Sequence, residues 1–481
     1  MMSAFRFFAV AAMTLALAAP AMARDPSRTR LLAAPNPSKA GQSVKLTAEV
    51  DGLGRGAPTG TVSFADGAVS LGSATLTFKG AGQATLATGF YHSCATTSGG
   101  GVKCWGKNNN GQLGDGTTTT RLVPVAVSGL ASGAVAVAAG HDHSCALTSA
   151  GAVKCWGWNA RGQLGDGTTV TRLTPVAVSG LASGVVAIAV GSLHSCALTS
   201  AGAVKCWGDN DFGALGDGTQ TRRPAPVAVS GLASDVVAIT AGGLHSCALT
   251  GAGAVKCWGN NFEGQLGDGT DADSLTPVAV SGLSSGVVAI AAGDGHTCAL
   301  TSAGAVKCWG GNNAGQIGDG TTTARSAPVG VSGLSSNVVA IAVGDFHSCA
   351  LTIASSAKCW GLNLFGQLGV GTTTNRSVPV SVSGLASGVA AIAAGGDHTC
   401  ATTSAGVAKC WGWNSSGQLG DGTNASRRTP TLIPGFTTLV RARARLSTRA
   451  GAVGTHRLEA SFPGDANHLR SSGPRALTVV K

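Results

Sequence analysis

Apolar and polar residues alternate along this chain in short segments, and the same set of segments recurs every 51 residues. In the third copy the segments are VVAIAVG from Val185, HSCALT from His194, GAVKCWG from Gly202 and PVAVSG from Pro226. Glycine-rich turn signals separate them, which is typical of short half-buried β-strands. The chain is therefore predicted to contain seven four-stranded units, each marked by one histidine: His92, His143, His194, His245, His296, His347 and His398.

Seven four-stranded units predict an all-β fold, a seven-bladed β-propeller in which a closed ring gives every sheet two neighbours. An open solenoid is the alternative, but the terminal copies of a solenoid usually differ from the inner ones. Here the first and last copies keep the same cysteines and tryptophan as the others. The segments 83–88 and 430–435 flank the array, and they should complete the ring with one strand from each end.

All 14 cysteines lie inside the copies, as pairs ten residues apart on either side of a turn. Antiparallel strands would place the two members of a pair opposite each other, within reach of a disulfide bond. A metal site is the alternative, because a histidine lies two residues before each first cysteine, but a fourth ligand is missing. The sequence predicts seven disulfides: Cys94 with Cys104, Cys145 with Cys155, Cys196 with Cys206, Cys247 with Cys257, Cys298 with Cys308, Cys349 with Cys359 and Cys400 with Cys410.

The two flanks of the repeat array also contain alternating segments, but neither has enough strands to be stable alone. The first flank contains PTGTVSF from Pro58 and the second contains GDAN from Gly464. Both resemble parts of the immunoglobulin-like repeats of bacterial surface proteins. The resemblance implies one small β-sandwich, formed by residues 24–82 and 437–481 and interrupted by a propeller of residues 83–436. Two unrelated terminal fragments are the alternative.

The repeat itself, GxxHSCALTxxGxVKCWGxNxxGQLGDGT, resembles that of the regulator of chromosome condensation family over about residues 83–436. The resemblance implies a seven-bladed propeller. The best-known activity of that family is nucleotide exchange on a nuclear GTPase, a partner that an exported protein does not meet.

The start of the chain predicts export. Arg6 precedes the apolar run FFAVAAMTLALAAPA, and Ala21, Met22 and Ala23 form a small-x-small cleavage site, so residues 1–23 are expected to be a signal peptide. A membrane anchor is the alternative, but the run is shorter than a spanning helix needs. We expect a secreted protein without a transmembrane segment, in the periplasm, outside the cell or on its surface, where disulfides persist.

The formal charge of +11 lies on the flanks, because the repeats between them are nearly neutral. Arg441, Arg443 and Arg445 alternate along one predicted strand and so share a face. They are predicted to contact an anionic surface, with ordinary solvated charge as the alternative.

No catalytic, metal or cofactor site is predicted. The tryptophans and histidines recur in every copy, which indicates a structural role, and a base would need a nucleophile or acid peculiar to one copy. The repeated LGDGT loops place an aspartate where it commonly bonds to nearby backbone, although Val370 replaces it in the sixth copy. A structural role is therefore the expectation for all three residue types.

The copies differ in the turns before the histidines and in the loops after the repeated Trp-Gly, which should emerge on the same face. Several variable positions hold large apolar side chains of the kind that binding hot spots favour. The prediction is a monomeric, non-enzymatic module that binds an unknown protein or glycan. A structural or surface-display protein is the alternative, and an enzyme is less well supported. The predicted binding residues are Trp158, Phe212, Phe262, Phe365 and Trp413.

Overall fold

The computed structural model describes residues 27–34, 38–40, 42–52, 61–75, 86–97, 99–404, 406–437, 440–449, 454–462 and 471–480. The regular elements in these ranges are β-strands, numbered β1 to β36 in chain order, which confirms the all-β prediction. No helix in these ranges is long and apolar enough to cross a membrane. The predicted signal peptide, residues 1–23, lies outside the described residues.

Seven four-stranded antiparallel sheets form the blades of the predicted propeller, and each uses four consecutive strands. Blades one to four comprise β6–β9 (Leu86–Thr88, His92–Thr96, Val102–Gly106, Arg121–Ala126), β10–β13 (Ala134–Ala139, His143–Thr148, Val153–Gly157, Arg172–Ala177), β14–β17 (Val185–Val190, His194–Thr199, Val204–Gly208, Arg223–Ala228) and β18–β21 (Val236–Ala241, His245–Thr250, Val255–Gly259, Ser274–Ala279). Blades five to seven comprise β22–β25 (Val287–Ala292, His296–Thr301, Val306–Gly310, Arg325–Gly330), β26–β29 (Val338–Val343, His347–Thr352, Ala357–Gly361, Arg376–Ser381) and β30–β33 (Val389–Ala394, His398–Thr403, Val407–Gly412, Arg427–Thr437).

The first strand of every blade packs against the first strands of both neighbouring blades, so it lines the axis of the ring. The fourth strand is then the outer edge of the blade. Proline stands at the fourth position of these edge strands, as Pro175 does in β13. Because proline has no N–H to donate, it hinders pairing of the exposed edge with another chain.

The ring closes by packing between complete blades. The two predicted closing segments lie in different sheets, since β6 begins blade one and β33 ends blade seven. Leu86 and Trp105 of blade one pack against Cys410 and Ile433 of blade seven. The indole Nε1 of Trp105 donates to the carbonyl oxygen of Gln418 at 2.9 Å. The ring therefore needs no strand shared between its ends.

The predicted disulfides lie within the central hairpin of each blade. The register places Cys145 opposite Cys155, and all seven pairs are bonded, with Cα–Cα distances of 4.0 to 4.1 Å. Each hairpin turn ends with a residue at positive φ, such as Gly151 at 79°. Ser355 adopts the same conformation in blade six, with φ of 56°, where the other copies use glycine.

Neighbouring blades are joined by a hydrogen-bonded junction that recurs seven times. Trp156 Nε1 donates to the carbonyl oxygen of Gln112 in the preceding blade at 2.9 Å, and Ser144 Oγ donates to the same oxygen at 3.0 Å. The tryptophan is fully buried and packs against Cys94 and Leu113 of that preceding blade. The repeated tryptophan thus fills the apolar interface between two blades and satisfies its own N–H there.

The repeated histidines complete each junction. His92 Nε2 lies 2.7 Å from Ser144 Oγ of the next blade. Because Ser144 Oγ gives its only hydrogen to Gln112, His92 Nε2 must carry a proton and donate to Oγ. The Nδ1 atom of each repeated histidine is buried without a hydrogen-bond partner among the described residues. Burial lowers the pKa of these side chains to about 3 or 4, so they are neutral at pH 7.

A small β-sandwich is formed by strands from both flanks, as predicted. One sheet has the order β1-β3-β34 and the other β2-β36-β35-β4-β5. Leu46, Phe64 and Leu458 belong to the core between them. The strands are β1 (Ser27–Ala34), β2 (Ser38–Lys39), β3 (Ser43–Gly52), β4 (Thr61–Asp66), β5 (Val69–Thr75), β34 (Val440–Arg449), β35 (Gly454–Phe462) and β36 (Ser471–Val480).

The disulfides give the first testable prediction. Intact protein purified from an oxidising compartment, denatured and treated with iodoacetamide, should gain no thiol adducts, because every cysteine is paired. After reduction it should gain 14, matching the cysteine content. Mass spectrometry of the two samples makes the comparison, and fourteen adducts without reductant would contradict the pairing.

The buried histidines predict a steep loss of stability in acid. Their folded pKa values lie below the unfolded value of about 6.5, so the unfolded chain binds more protons between about pH 6.5 and pH 4. The free energy of unfolding should therefore fall as the pH falls, by up to about 1.4 kcal/mol per pH unit for each histidine. Asp345 and Asp397, whose pKa values are raised, act in the opposite direction.

Urea unfolding of the oxidised protein between pH 7 and pH 4 measures this dependence. The variant His245→Gln keeps a donor near Thr297 but removes one titrating group. The slope of its free energy of unfolding against pH should therefore correspond to the uptake of about one proton fewer on unfolding. A slope that is flat in the parent protein, or unchanged by this substitution, would show that the histidines do not control acid stability.

Candidate binding face

The turns before the repeated histidines and the loops after the repeated Trp-Gly lie on one face of the ring. Backbone hydrogen bonds join the two within a blade, as where the N–H of Trp158 donates to the carbonyl of Asp142 at 2.9 Å. We call this the variable face, because its side chains differ between copies whereas the strands beneath it repeat. The face is thus a set of changeable loops on a rigid ring.

A closed ring of glycines surrounds the axis just below the variable face. A Cβ atom on any of them would overlap the carbonyl oxygen of the next glycine around the ring. The backbones consequently approach closely, and they line a narrow axial cavity of about 110 Å³. The members of the ring are Gly89, Gly140, Gly191, Gly242, Gly293, Gly344 and Gly395.

Above this ring the variable face contains a larger depression of about 660 Å³. Its apolar walls are formed by Phe90, Trp158, Leu193, Leu244 and Phe346. Its ionisable lining residues are His141, Asp142, Asp294 and Asp345. The lining comes from blades one to six, and a concave site of this size with mixed walls is typical of ligand binding.

An aromatic cluster lies beside the depression and crosses the junction between the first and last blades. Phe365 stacks on Trp413 with ring centroids 4.9 Å apart, and Trp413 meets the edge of Tyr91 at 5.2 Å. Tyr91 in turn contacts Phe90 at 4.3 Å, and the ammonium of Lys107 lies 4.8 Å from the centre of the Tyr91 ring. These contacts support one another, so the cluster is packed rather than loose.

The structure divides the five predicted binding residues. Trp158 lines the depression, and Phe365 and Trp413 belong to the aromatic cluster. Phe212 and Phe262 belong to neither group, with 38% and 83% of their surfaces exposed. The proposed single patch is thus two adjoining groups and two separate side chains.

The turns before the histidines contribute more to the depression than the five predicted binding residues do. Leu193, Leu244 and Phe346 occupy these turns and line the depression next to the axis. Their variation between copies was the available signal. Asp345 lies in the same variable turns, where other copies have Phe90 or Ser192, but only folding brings it near the carboxylates of other blades.

The acidic side chains of the variable face differ in how they are compensated. Asp142 accepts hydrogen bonds from Lys107 at 3.2 Å and from Gln112 at 2.8 Å, and it lies 2.8 Å from His141. Although burial opposes ionisation, His141 and Lys107 hold the pKa of Asp142 well below its usual range. Its charge is therefore neutralised within the protein.

Asp345 is in the opposite situation. Burial, together with the charges of Asp294 and Asp397, raises the pKa of Asp345 to about 8. Burial also raises the pKa of Asp397 to about 6, and it raises the pKa of Asp294. The part of the face over blades five to seven thus carries carboxylates whose ionisation is unfavourable.

A repeated ionic network shapes the loops that rise to the variable face. The carboxylate of Asp115 accepts hydrogen bonds from the backbone and hydroxyl of Thr117 and from the guanidinium of Arg121. This confirms the predicted bonding of the loop aspartate to nearby backbone. The same ion pair joins Asp166 to Arg172, Asp217 to Arg223, Asp319 to Arg325 and Asp421 to Arg427.

Blades four and six depart from this network. In blade six Val370 stands in place of the aspartate, and the Nε of Arg376 is buried without a hydrogen-bond partner among the described residues. In blade four Ser274 replaces the arginine, and among the described residues Asp268 is bonded to Thr270 and Asn261. Arg376 is therefore a guanidinium whose usual partner has been lost.

The arginines predicted to contact an anionic surface lie on β34. Its register with β3 places Arg441 opposite Asp51 and Arg443 opposite Glu49. Two of the three basic positions thus face acidic positions on the neighbouring strand. Contact with an anionic surface stays a prediction.

Within the described part of the chain, no three His, Cys, Asp or Glu side chains are grouped closely enough to hold a metal ion. No three of the described carboxylates on the variable face therefore converge on one point.

The blades and the loop face define a seven-bladed propeller built from 51-residue repeats. The chain belongs to the regulator of chromosome condensation family, as the sequence predicted. The RCC1-like domain matches residues 178–457, and the regulator of chromosome condensation (RCC1) repeat matches residues 100–147 and 150–198, with a second form of it at 134–163. The bacterial Ig-like domain (group 3) matches residues 31–102.

Similar proteins include the ultraviolet-B receptor UVR8 of Arabidopsis thaliana, 33% identical over 72% of this chain and 81% of that protein. The human E3 ubiquitin-protein ligase HERC2 is 33% identical over 68% of this chain but only 7% of its own length. Among solved structures, yeast RCC1 (Prp20) bound to Kap60 has a TM-score of 0.63 at 24% identity, covering 71% of this chain and 88% of that one. This last likeness supports the fold alone.

Restoring the missing carboxylate should stabilise blade six. The substitution Val370→Asp gives Arg376 a partner, and we expect the free energy of unfolding to rise by about 1 kcal/mol, since the guanidinium is partly exposed. Urea unfolding at pH 7 measures the change.

Two matched substitutions serve as controls. Asp319→Val breaks the intact pair with Arg325 and should destabilise the protein, whereas Asp268→Val has no arginine to release and should destabilise it less. Equal effects of these two controls, or no gain from Val370→Asp, would show that the ion pair contributes little.

Proposed function

We propose that this protein is an exported binding module whose variable face recognises a protein or glycan partner. The observation that carries the proposal is the depression of about 660 Å³ on the axis, lined by side chains from six different blades. Side chains that the fold requires recur in every blade, whereas the side chains that line the depression differ between blades. A partner that covers the axis contacts all six blades at once.

Other features support an exported binding role. The seven disulfides and the bacterial immunoglobulin-like domain are typical of proteins outside the cytoplasm. The relatives UVR8 and HERC2 are a receptor and a ubiquitin ligase, and each is 33% identical to this chain over the matched residues. Arg441, Arg443 and Arg445 remain the positions at which we propose contact with an anionic surface.

Affinity capture with the full chain as bait, from the surroundings of the producing cell, tests the proposal. The purified partner is then measured against a variant with Trp158, Phe212, Phe262, Phe365 and Trp413 replaced by serine. We expect its affinity to fall at least tenfold, because aromatic side chains supply most of the energy in such interfaces. A second variant, Trp158→Ser with Phe346→Ser, restricts the change to the depression and leaves the stacked pair intact.

The control is Ile353→Ser, which removes a 66% exposed apolar side chain from a hairpin turn on the opposite face. Its affinity should equal that of the parent, and thermal unfolding should confirm that all variants are folded. If the partner bound the five-residue variant as tightly as the parent, its site would lie elsewhere, and a structural or display role would gain support.

A further inference from the structure

The depression on the variable face combines apolar walls with negative charge. Phe90, Trp158 and Phe346 provide aromatic surface, and Asp294 and Asp345 provide carboxylates. The only basic side chain in the lining is His141, and it is already bound to Asp142 at 2.8 Å. The depression thus offers acceptors and aromatic rings, and it has no free cation of its own among the described residues.

The carboxylates of Asp294 and Asp345 have no hydrogen-bond or ion-pair partner in the part of the chain that the structure describes. Asp142 lines the same depression but differs from them, because its carboxylate is paired with Lys107 and His141. Asp294 belongs to blade five, and its carboxylate lies beside Gly243 of blade four. The uncompensated charge is consequently held at one side of the depression.

The electrostatics agree with this geometry. Burial raises the pKa of Asp345 to about 8, and the neighbouring charges of Asp294 and Asp397 add to the effect. Tyr91 is also affected, since burial and the charges of Asp397, Asp142 and Asp345 raise its pKa. A positive charge placed here would relieve the repulsion among these groups.

We propose that the depression receives a lysine or arginine side chain from an exposed basic segment of a protein partner. The cationic group is bound by Asp294 and Asp345, and its alkyl stem or guanidinium plane contacts the aromatic walls. This rests on the proposed function and specifies the chemistry of the partner. The carboxylates are too dispersed to enclose one metal ion, whereas an extended organic cation with several donors can reach both. The volume exceeds that of one side chain, which suits a segment rather than a small amine.

Binding of a defined probe tests the proposal. The probe is a fluorescein-labelled heptapeptide that alternates arginine with glycine, titrated with the full chain at low salt and followed by fluorescence anisotropy. The double variant Asp294→Asn with Asp345→Asn keeps the shape of the depression and removes its charge. We expect this variant to bind the probe at least tenfold more weakly than the parent. A peptide alternating glutamate with glycine should not bind either protein.

The matched control is Asp235→Asn, which removes one carboxylate from the opposite face. Asparagine already occupies the equivalent position at Asn337, with nearly the same positive φ, 64° against 67°. Its affinity for the probe should stay within twofold of the parent. Affinity should also rise between pH 6 and pH 9 in the parent, as Asp345 ionises, and the rise should disappear in Asp345→Asn.

Equal binding by the parent and the double variant, or no binding by the parent, would overturn the proposal. If the captured partner nevertheless lost affinity for the Trp158→Ser and Phe346→Ser variant, the binding face would stand and only its cationic preference would fall. If the partner bound the Asp294→Asn, Asp345→Asn variant and the Trp158→Ser, Phe346→Ser variant as tightly as the parent, the proposed function would be overturned as well.

Discussion

The whole molecule depends on one backbone carbonyl in each blade, such as that of Gln112, which accepts two hydrogen bonds from the next blade. The indole of Trp156 and the hydroxyl of Ser144 both donate to it, and a histidine donates to that hydroxyl. Without this oxygen a fully buried tryptophan N–H would lose its partner, which is unfavourable by about 1 to 3 kcal/mol at each junction. Since the same contacts recur from blade seven to blade one, they close the ring as firmly as they extend it.

This uniform interior explains why recognition is confined to loops. The strands and junctions must repeat, because each blade packs against its neighbour through the same set of contacts. Only the turns before the histidines and the loops after Trp-Gly are free to change, and near the axis six blades bring such positions within one depression. Asp294 and Asp345 lie there without a hydrogen-bond or ion-pair partner among the residues that the structure describes, whereas the more distant Asp217 is paired with Arg223. The fold therefore separates residues that maintain it from residues available for a partner.

The sequence was sufficient for most of the architecture but only part of the site. The 51-residue period predicted the blades, the cysteine spacing predicted the disulfides, and the flanking motifs predicted a sandwich built from both ends. The junctions were not foreseen, because the acceptor of Trp156 is a backbone atom 44 residues earlier and backbone atoms leave no signature in composition. The sequence could not separate the five predicted binding residues into groups, because it gives no distance from the axis. Phe262 and Phe346 are both variable, yet only Phe346 lines the depression.

The interrupted sandwich has a consequence for the order of folding. Each blade pairs residues close in sequence, such as His143 with Gly157, whereas β3 pairs with β34 across roughly 400 positions. Contacts between distant residues must overcome a larger loss of chain entropy unless the intervening segment is already compact. The ladder from Ser43 to Gly52 can therefore form readily only after the seven blades have assembled and brought the two ends together. Pairing of β3 with β34 thus marks the completion of the ring.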